Sequence, residues 1–501
     1  MKANSRQPAA RVPSWPWERL PYGRWLGHLA LAGLMLVCAW ALAYWPLGTV
    51  AALLAAAGAG LVIVVWPPLG LALLAVAVPF GSLRAVNLGP ARLGGEEVVL
   101  AVTAAAWLAR QLARRSLQLT WPAFVGAGLV LLGAMLLSFL PASSLLLAAK
   151  EMLKWAELWL AAVLAVNLVD ERSALLLVVA LLAAAAAEGL YGLYQFFARV
   201  GPSGFVLMGR FMRASGTFEQ PNPYGGYLGL ALPLALGLVL TAWPGRARGQ
   251  GGEGQAWGLW AAAAGAGVLI AGGLFASWSR GAWLGAAAGV AIVVVARGGS
   301  WLRGALAIGL TGLVVCFLVW GRVPLPGALA DRFSGFVADL TTFDVRDVEV
   351  TDANFAVVER AAHWQAALGM FRDHPWTGVG LGNYPEAYAQ YALPRWPDPL
   401  GHAHNYFLNI AAEAGLPGLV AYLLWVAAGL WVAVQAVRRS QGLWQGVALG
   451  VLGMWVHLNV HNLFDNLYVH GMGIHIGLML GLAAWLIATQ AGGAATDAHR
   501  R

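Results

Sequence analysis

Charge is scarce in this chain of 501 residues: 11% are Asp, Glu, Lys or Arg, while 60% are hydrophobic. A soluble domain carries about a quarter charged residues, so a soluble globular fold is excluded by composition. Cysteine is almost absent. Cys38 and Cys316 each lie inside an apolar run, where they read as buried thiols and imply neither a disulfide framework nor a cysteine metal site. Acidic residues number 23 against 31 Lys and Arg, a net charge of +8. Nucleic acid is nevertheless excluded as a partner, because the basic residues cluster in short connections between apolar segments. No soluble domain, low-complexity tract or internal repeat is visible.

What the chain does contain is apolar helix. Apolar runs recur at approximately 25–45, 48–66, 69–83, 97–113, 121–139, 145–168, 173–198, 223–243, 257–276, 281–296, 303–320, 416–437, 442–460 and 470–488. A bilayer crossing needs about 20 residues, which makes the third and tenth runs short. The fold expected is all-α, a polytopic membrane protein of about 12–14 transmembrane helices, and the 25 tryptophans suit interfacial belts. The first run is too long and too far from the start for a cleaved signal peptide. Placing the basic arm 1–24 in the cytoplasm puts the Arg110–Arg115, Arg246–Arg248, Arg297–Arg303, Arg438–Arg439 and His499–Arg501 connections on the same side, as the positive-inside bias requires.

That topology yields a helix bundle over 25–320, an outer loop over 321–415, further membrane helices over 416–490 and a cytoplasmic tail at 491–501. At roughly 90 residues the loop exceeds what a passive connection needs. It holds a helical stretch from Val357 to Arg372, with Trp364, Leu368 and Phe371 on one face. Asp373-His374-Pro375 ends it, and Gly378-Val379-Gly380-Leu381-Gly382 follows. Without a βαβ context these glycines read as a turn, not a nucleotide loop.

The densest polar cluster is Gly401-His402-Ala403-His404-Asn405 through Glu413 and Gly415, at the entrance of an apolar segment. Histidine titrates near neutral pH, so the pair is a candidate for proton transfer, with a wet helix cap as the alternative. Arg210 and Arg213 precede Gly216-Thr217-Phe218-Glu219-Gln220-Pro221-Asn222, and Arg280 sits in Ser279-Arg280-Gly281-Ala282-Trp283. Outer-face arginines run against the positive-inside bias; their planar forks suit phosphate oxygens, and snorkelling is the alternative. Lys150, Lys154 and Glu157 share a helix face, and Glu188 lies in the next helix. A mutual Lys–Glu ion pair is the plainest account, and with or without it an open polar pocket toward the outer leaflet is implied. His457, His461, Asp465, His470 and His475 have partial metal-ligand spacing but no His-Glu-x-x-His pattern; packing around the same cavity is preferred.

Five blocks in order resemble the O-antigen ligase and polymerase family: Thr217–Asn222, Ser279–Trp283, Arg360-Ala361-Ala362-His363-Trp364 with Asp373–Gly382, His402–Asn405, and Glu413–Leu419. The resemblance covers about 145–485, and Glu219 stands where many relatives have a smaller or amide residue. It implies a GT-C-type glycosyltransferase of the bacterial cytoplasmic membrane with its site on the outer face. The implied donor is an undecaprenyl-diphosphate-linked glycan, the acceptor a hydroxyl of a glycolipid or similar molecule. Arg213 (or Arg210) and Arg280 map onto the diphosphate-binding positions, and His404 onto the general base. His402, Asn405 and Glu413 are candidates to orient that base, with Lys150, Lys154 and Glu188 as supporting charges. The activated donor requires neither metal nor other cofactor. Repeat-unit polymerisation, protein O-glycosylation and, in a different class, glycolipid transport stay open as alternatives.

Overall fold

The computed structural model describes residues 23–81, 86–88, 91–207, 211–242, 253–298, 344–351 and 354–498. The expected span at 303–320, the arm 1–22 and Arg210 lie outside the described residues. Two compact units divide the chain, Met1–Val65 and Trp66–Arg501. The first holds α1 (Gly23–Tyr44) and α2 (Leu47–Val65), joined at Pro46, whose carbonyl accepts from Thr49 N at 2.8 Å. Large apolar side chains such as Leu36, Trp40, Leu54 and Val65 are exposed on these helices. In water that would be unfavourable; facing lipid tails it is the natural arrangement.

The second unit opens with α3 (Pro68–Phe80), the hairpin β1 (Val86–Leu88) and β2 (Ala91–Leu93), and α4 (Gly95–Ala113). Next come α5 (Val125–Leu137), α6 (Leu145–Leu168) and α7 (Glu171–Ala198). A second hairpin, β3 (Val206–Leu207) with β4 (Phe211–Met212), leads to α8 (Pro221–Thr241), α9 (Glu253–Ala276) and α10 (Arg280–Arg297). After the undescribed stretch come α11 (Phe355–Asp373), α12 (Tyr384–Tyr391), α13 (Tyr406–Arg439), α14 (Gly442–His461) and α15 (Met472–Ala498). Among the described residues, eight helices are long and apolar enough to cross a membrane, including α7, α8, α10, α13 and α14. The protein is thus an all-helical polytopic membrane protein, its only described strands being the two short antiparallel hairpins.

Glycine sets how closely the central helices cross. A Cβ on Gly237 of α8 would lie 2.2 Å from the Gly446 carbonyl oxygen of α14, so the two backbones touch without side chains between them. Small residues permit such close van der Waals approach in lipid, where no hydrophobic force drives helices together.

The loop helix α11 forms where expected, but with a different buried face. Val358, Ala362, Ala366 and Met370 are buried, while Trp364, Leu368 and Phe371 are only half-buried. The small alanine face lets α11 pack closely beside Val379, Ala403 and Ala412, which the bulky stripe would prevent.

The glycine-rich segment after α11 is a strap docked on a broken helix. Gly415 has φ 64° and ψ −163°, interrupting α13. Leu416 N donates instead to Pro375 O at 2.7 Å, and Pro417 has no N–H to donate. The carbonyls of Ala412 and Glu413 are therefore released, and they accept from Val379 N (2.9 Å) and Gly380 N (3.0 Å). Gly378, at φ +66°, must be glycine: a Cβ would lie 2.2 Å from the Glu413 carbonyl carbon. The segment is a backbone clasp, as a turn reading implies.

Candidate functional site

A cavity of about 690 Å³ opens where α8, α10 and α11 begin and α14 ends. First-turn residues of all three helices line it: Asn222, Arg280 with Gly281, and Phe355 through Val357. Helix N-termini carry unsatisfied N–H groups and the positive end of the dipole, so this convergence favours an anion.

Arg213 and Arg280 line the same cavity. Arg213 is fixed at both ends: its N–H donates to Phe205 O at 2.8 Å, Nε to Ser277 O at 3.1 Å and Nη2 to Asn222 Oδ1 at 3.3 Å. The turn that follows it is held from α7. Glu188 accepts from Thr217 N (3.1 Å) and Thr217 Oγ1 (2.7 Å), and Gln195 Oε1 accepts from Ser215 N (3.0 Å) and Gly216 N (2.8 Å). Arg360, on α11, joins the lining; its Nε donates to Phe464 O at 3.2 Å and Nη1 to Ala356 O at 2.9 Å.

The same cavity is lined by His402, His404 and Asp465. His404 adopts left-handed backbone with φ 52°, and its carbonyl accepts from Trp364 Nε1 at 3.4 Å. Its Nδ1 lies 3.4 Å from Asp465 Oδ1, and His402 Nε2 lies 3.7 Å from the same oxygen. His402 Nδ1 accepts from His404 N at 3.0 Å, which leaves the neutral ring's proton on Nε2, toward Asp465. Burial, then the proximity of His404, pushes the His402 ring down to about 3. Burial would raise the Asp465 carboxyl, but contact with His404 and the charges of His404, His402 and Arg360 hold it well below the usual carboxylate range. Asp465 is therefore an anion flanked by two imidazoles. Behind them, His363 is buried with Nδ1 3.0 Å from Tyr384 Oη, its ring 5.7 Å from that of His404. Burial, then His404, lowers His363 to about 4.

Several site residues stand elsewhere than expected. Glu413, considered for orienting His404, accepts from Tyr384 N at 3.2 Å and so supports the strap. Asn405 caps α13, accepting from Leu408 N at 3.1 Å. The carboxylate beside His404 is Asp465, which the sequence had grouped with the later histidines. The Lys–Glu188 pair is not formed: Lys154 Nζ donates to Glu151 Oε2 at 2.6 Å, Lys150 is exposed, and Glu188 serves Thr217. A smaller cavity of about 190 Å³ does carry Lys154 and Glu157, and shares Val469 and His470 with the large one. Of the C-terminal histidines, His461 and His470 line the large cavity, while His457 binds the Gly226 carbonyl oxygen at 3.1 Å and His475 packs on Tyr227. The one grouping with metal-ligand geometry among the described residues is His402, His404 and Asp465, whose ligand atoms lie within 4.8 Å. It could hold a proton or a cation.

Fold and site together define a polytopic membrane protein with a cavity lined by arginines, histidines and Asp465 where α8, α10 and α11 begin. The family model described as O-Antigen ligase matches residues 265–423, so this part of the chain is similar to that family. That family implies glycosyltransferase-type enzyme activity. Arg280, Arg360, His363, His402 and His404 fall inside the matched segment, whereas Arg213, His461 and Asp465 reach the cavity from outside it. No curated protein matches the chain.

Proposed function

We propose that the protein transfers a glycan from undecaprenyl diphosphate to an acceptor hydroxyl, on a glycolipid such as lipid A-core, at the outer face of the bacterial cytoplasmic membrane. The observation that supports this reading is that Arg213, Arg280 and the His404–Asp465 pair line one cavity. The acceptor oxygen attacks the sugar C1 from the face opposite the diphosphate. The C1–O bond breaks, and its electron pair leaves with the diphosphate, so configuration inverts. Arg213 and Arg280, with the helix ends, stabilise the charge that grows on the leaving group. The hydroxyl proton goes to His404 Nε2, and the resulting imidazolium is stabilised by Asp465 at Nδ1. Asp465 thus positions the base and balances its charge without taking the proton.

The donor is already activated, so the mechanism uses no metal. The histidine–aspartate trio is read as a proton site, a reading that an unchanged rate after removal of divalent ions by EDTA would support. A purified preparation given lipid-linked glycan and acceptor tests the whole scheme. Loss of transfer in both His404→Ala and Arg280→Ala is expected, and full activity in either removes that residue from the mechanism. Repeat-unit polymerisation and protein O-glycosylation use the same donor chemistry. In a deletion strain, long chains left on the carrier and a bare lipid core mark a ligase, a single repeat on the core a polymerase, and an altered glycoprotein with unchanged glycolipid a protein glycosylase. Flipping of glycolipid without bond formation would revive transport.

A further inference from the structure

His461, the last residue of α14, is fully buried, and neither of its ring nitrogens has a hydrogen-bond partner. An imidazole always carries at least one N–H, and leaving such a donor unpaired away from water is costly. The residue is nonetheless one of those that line the large cavity. It is wedged between two helices whose glycines make room for it. A Cβ on Gly226 of α8 would lie 3.2 Å from its Cε1, and one on Gly281 of α10 would lie 3.7 Å from its Nε2. Nε2 therefore sits beside the first turn of α10, next to Arg280. Its backbone is also committed to the site, since its carbonyl accepts from Phe464 N (2.8 Å) and Asp465 N (3.1 Å), forming the turn that presents Asp465.

We infer that His461 is a further ligand for the donor's diphosphate, donating a hydrogen bond from its Nε2–H to a phosphate oxygen at the α10 end of the cavity. This rests on the donor proposed above. The arginines supply charge, and His461 supplies a neutral donor with one fixed direction. That direction distinguishes a diphosphate seated against α10 from an anion merely attracted to the arginines. His461 is separate from the base: His404 accepts a proton from the acceptor, whereas His461 holds the group that departs.

The test is binding of undecaprenyl diphosphate, without its glycan, to the full-length protein in nanodiscs. His461→Leu fills the space but offers no donor, and His461→Gln restores an N–H. Loss of one hydrogen bond to a charged oxygen is worth on the order of tenfold or more in affinity. The expected result is that order of weakening in His461→Leu and recovery to within about threefold of the parent in His461→Gln. A melting temperature recorded without ligand identifies a variant that fails to fold; His461→Ala then replaces His461→Leu, and His461→Asn, also carrying an N–H, replaces His461→Gln. Parental affinity in His461→Leu, as when the ring meets only water, overturns the assignment. Equal weakening in Leu and Gln overturns it too, since packing then accounts for the effect. A parent protein that does not bind undecaprenyl diphosphate at all refutes the donor itself, an outcome distinct from both.

Discussion

The arginine wall of the cavity stands on helix ends, whereas the histidine wall hangs from loops. Arg280 is the first residue of α10, and Arg213, between β4 and α8, is tied to Ser277 O just past the end of α9 and to Asn222 in the first turn of α8. His404 instead sits on a left-handed residue between α12 and α13, and Asp465 on the turn between α14 and α15. The difference matches what each wall is asked to do. Permanent charge needs only rigid placement, which helix termini provide together with their own dipoles. Proton transfer needs a carboxylate and an imidazole from distant parts of the chain at one distance, which connecting segments can be shaped to give.

The comparison can be broken most sharply at the base. His404→Ala should lower transfer by about 10²–10⁴-fold at saturating donor with little loss of carrier affinity, because only the proton acceptor is removed. A steady-state rate within tenfold of the parent would refute that role. On the arginine wall, Arg280→Ala should cost about 10²–10³-fold in the same assay, and weaken binding of undecaprenyl diphosphate as well. If Arg280→Ala spares carrier binding, the two walls do not divide the work as described.

A smaller effect sharpens the loop side. Gly378→Ala places a Cβ 2.2 Å from the Glu413 carbonyl carbon at a left-handed backbone position. The strap must then shift, with a destabilisation of roughly 1–3 kcal/mol. A lower melting temperature in detergent accompanied by reduced transfer is expected; an unchanged melting temperature means that the clasp contributes nothing.

The smallest effect is a stability slope with pH. His363 titrates near 6.5 when unfolded and at about 4 in the fold. As pH falls below 6.5 the unfolded chain takes up a proton that the folded ring refuses, so stability decreases until about pH 4. His363→Gln should make that slope shallower in thermal denaturation between these limits, since His402 also titrates lower in the fold, and an identical slope in both proteins would count against the buried neutral ring.

Local pattern made much of this legible. The apolar runs announced α7, α8, α13 and α14, because in lipid a crossing helix must be long and greasy enough to satisfy its own backbone. The motif around His402 and His404 and the arginine pair were visible for the same reason that charges are rare in such a chain. Less legible was which partner each would meet. Glu413, seven residues inside α13, looked like the natural companion of His404, yet the break at Gly415 turns that helix toward the strap. Asp465 lies 61 residues beyond His404 in the chain, and no local spacing could select it. Arg360 stood in the motif beside His363, but nothing in its neighbourhood revealed that it faces the cavity.

Composition, periodicity and the rarity of charge were sufficient by themselves to determine a helical membrane protein and to mark the histidine pair and the outer-face arginines as candidates, while the choice of Arg213, Arg280 and His404 among them came from the resemblance to the O-antigen ligase family. These properties depend on residues near one another in the chain, or on solvation alone. The pairing of His404 with Asp465, the assignment of Glu188 to the Thr217 turn and the unpartnered ring of His461 in the cavity were decided only by tertiary structure. Each depends on where separate helices end relative to one another, a result of the glycine-mediated crossings and of the clasp at Gly415.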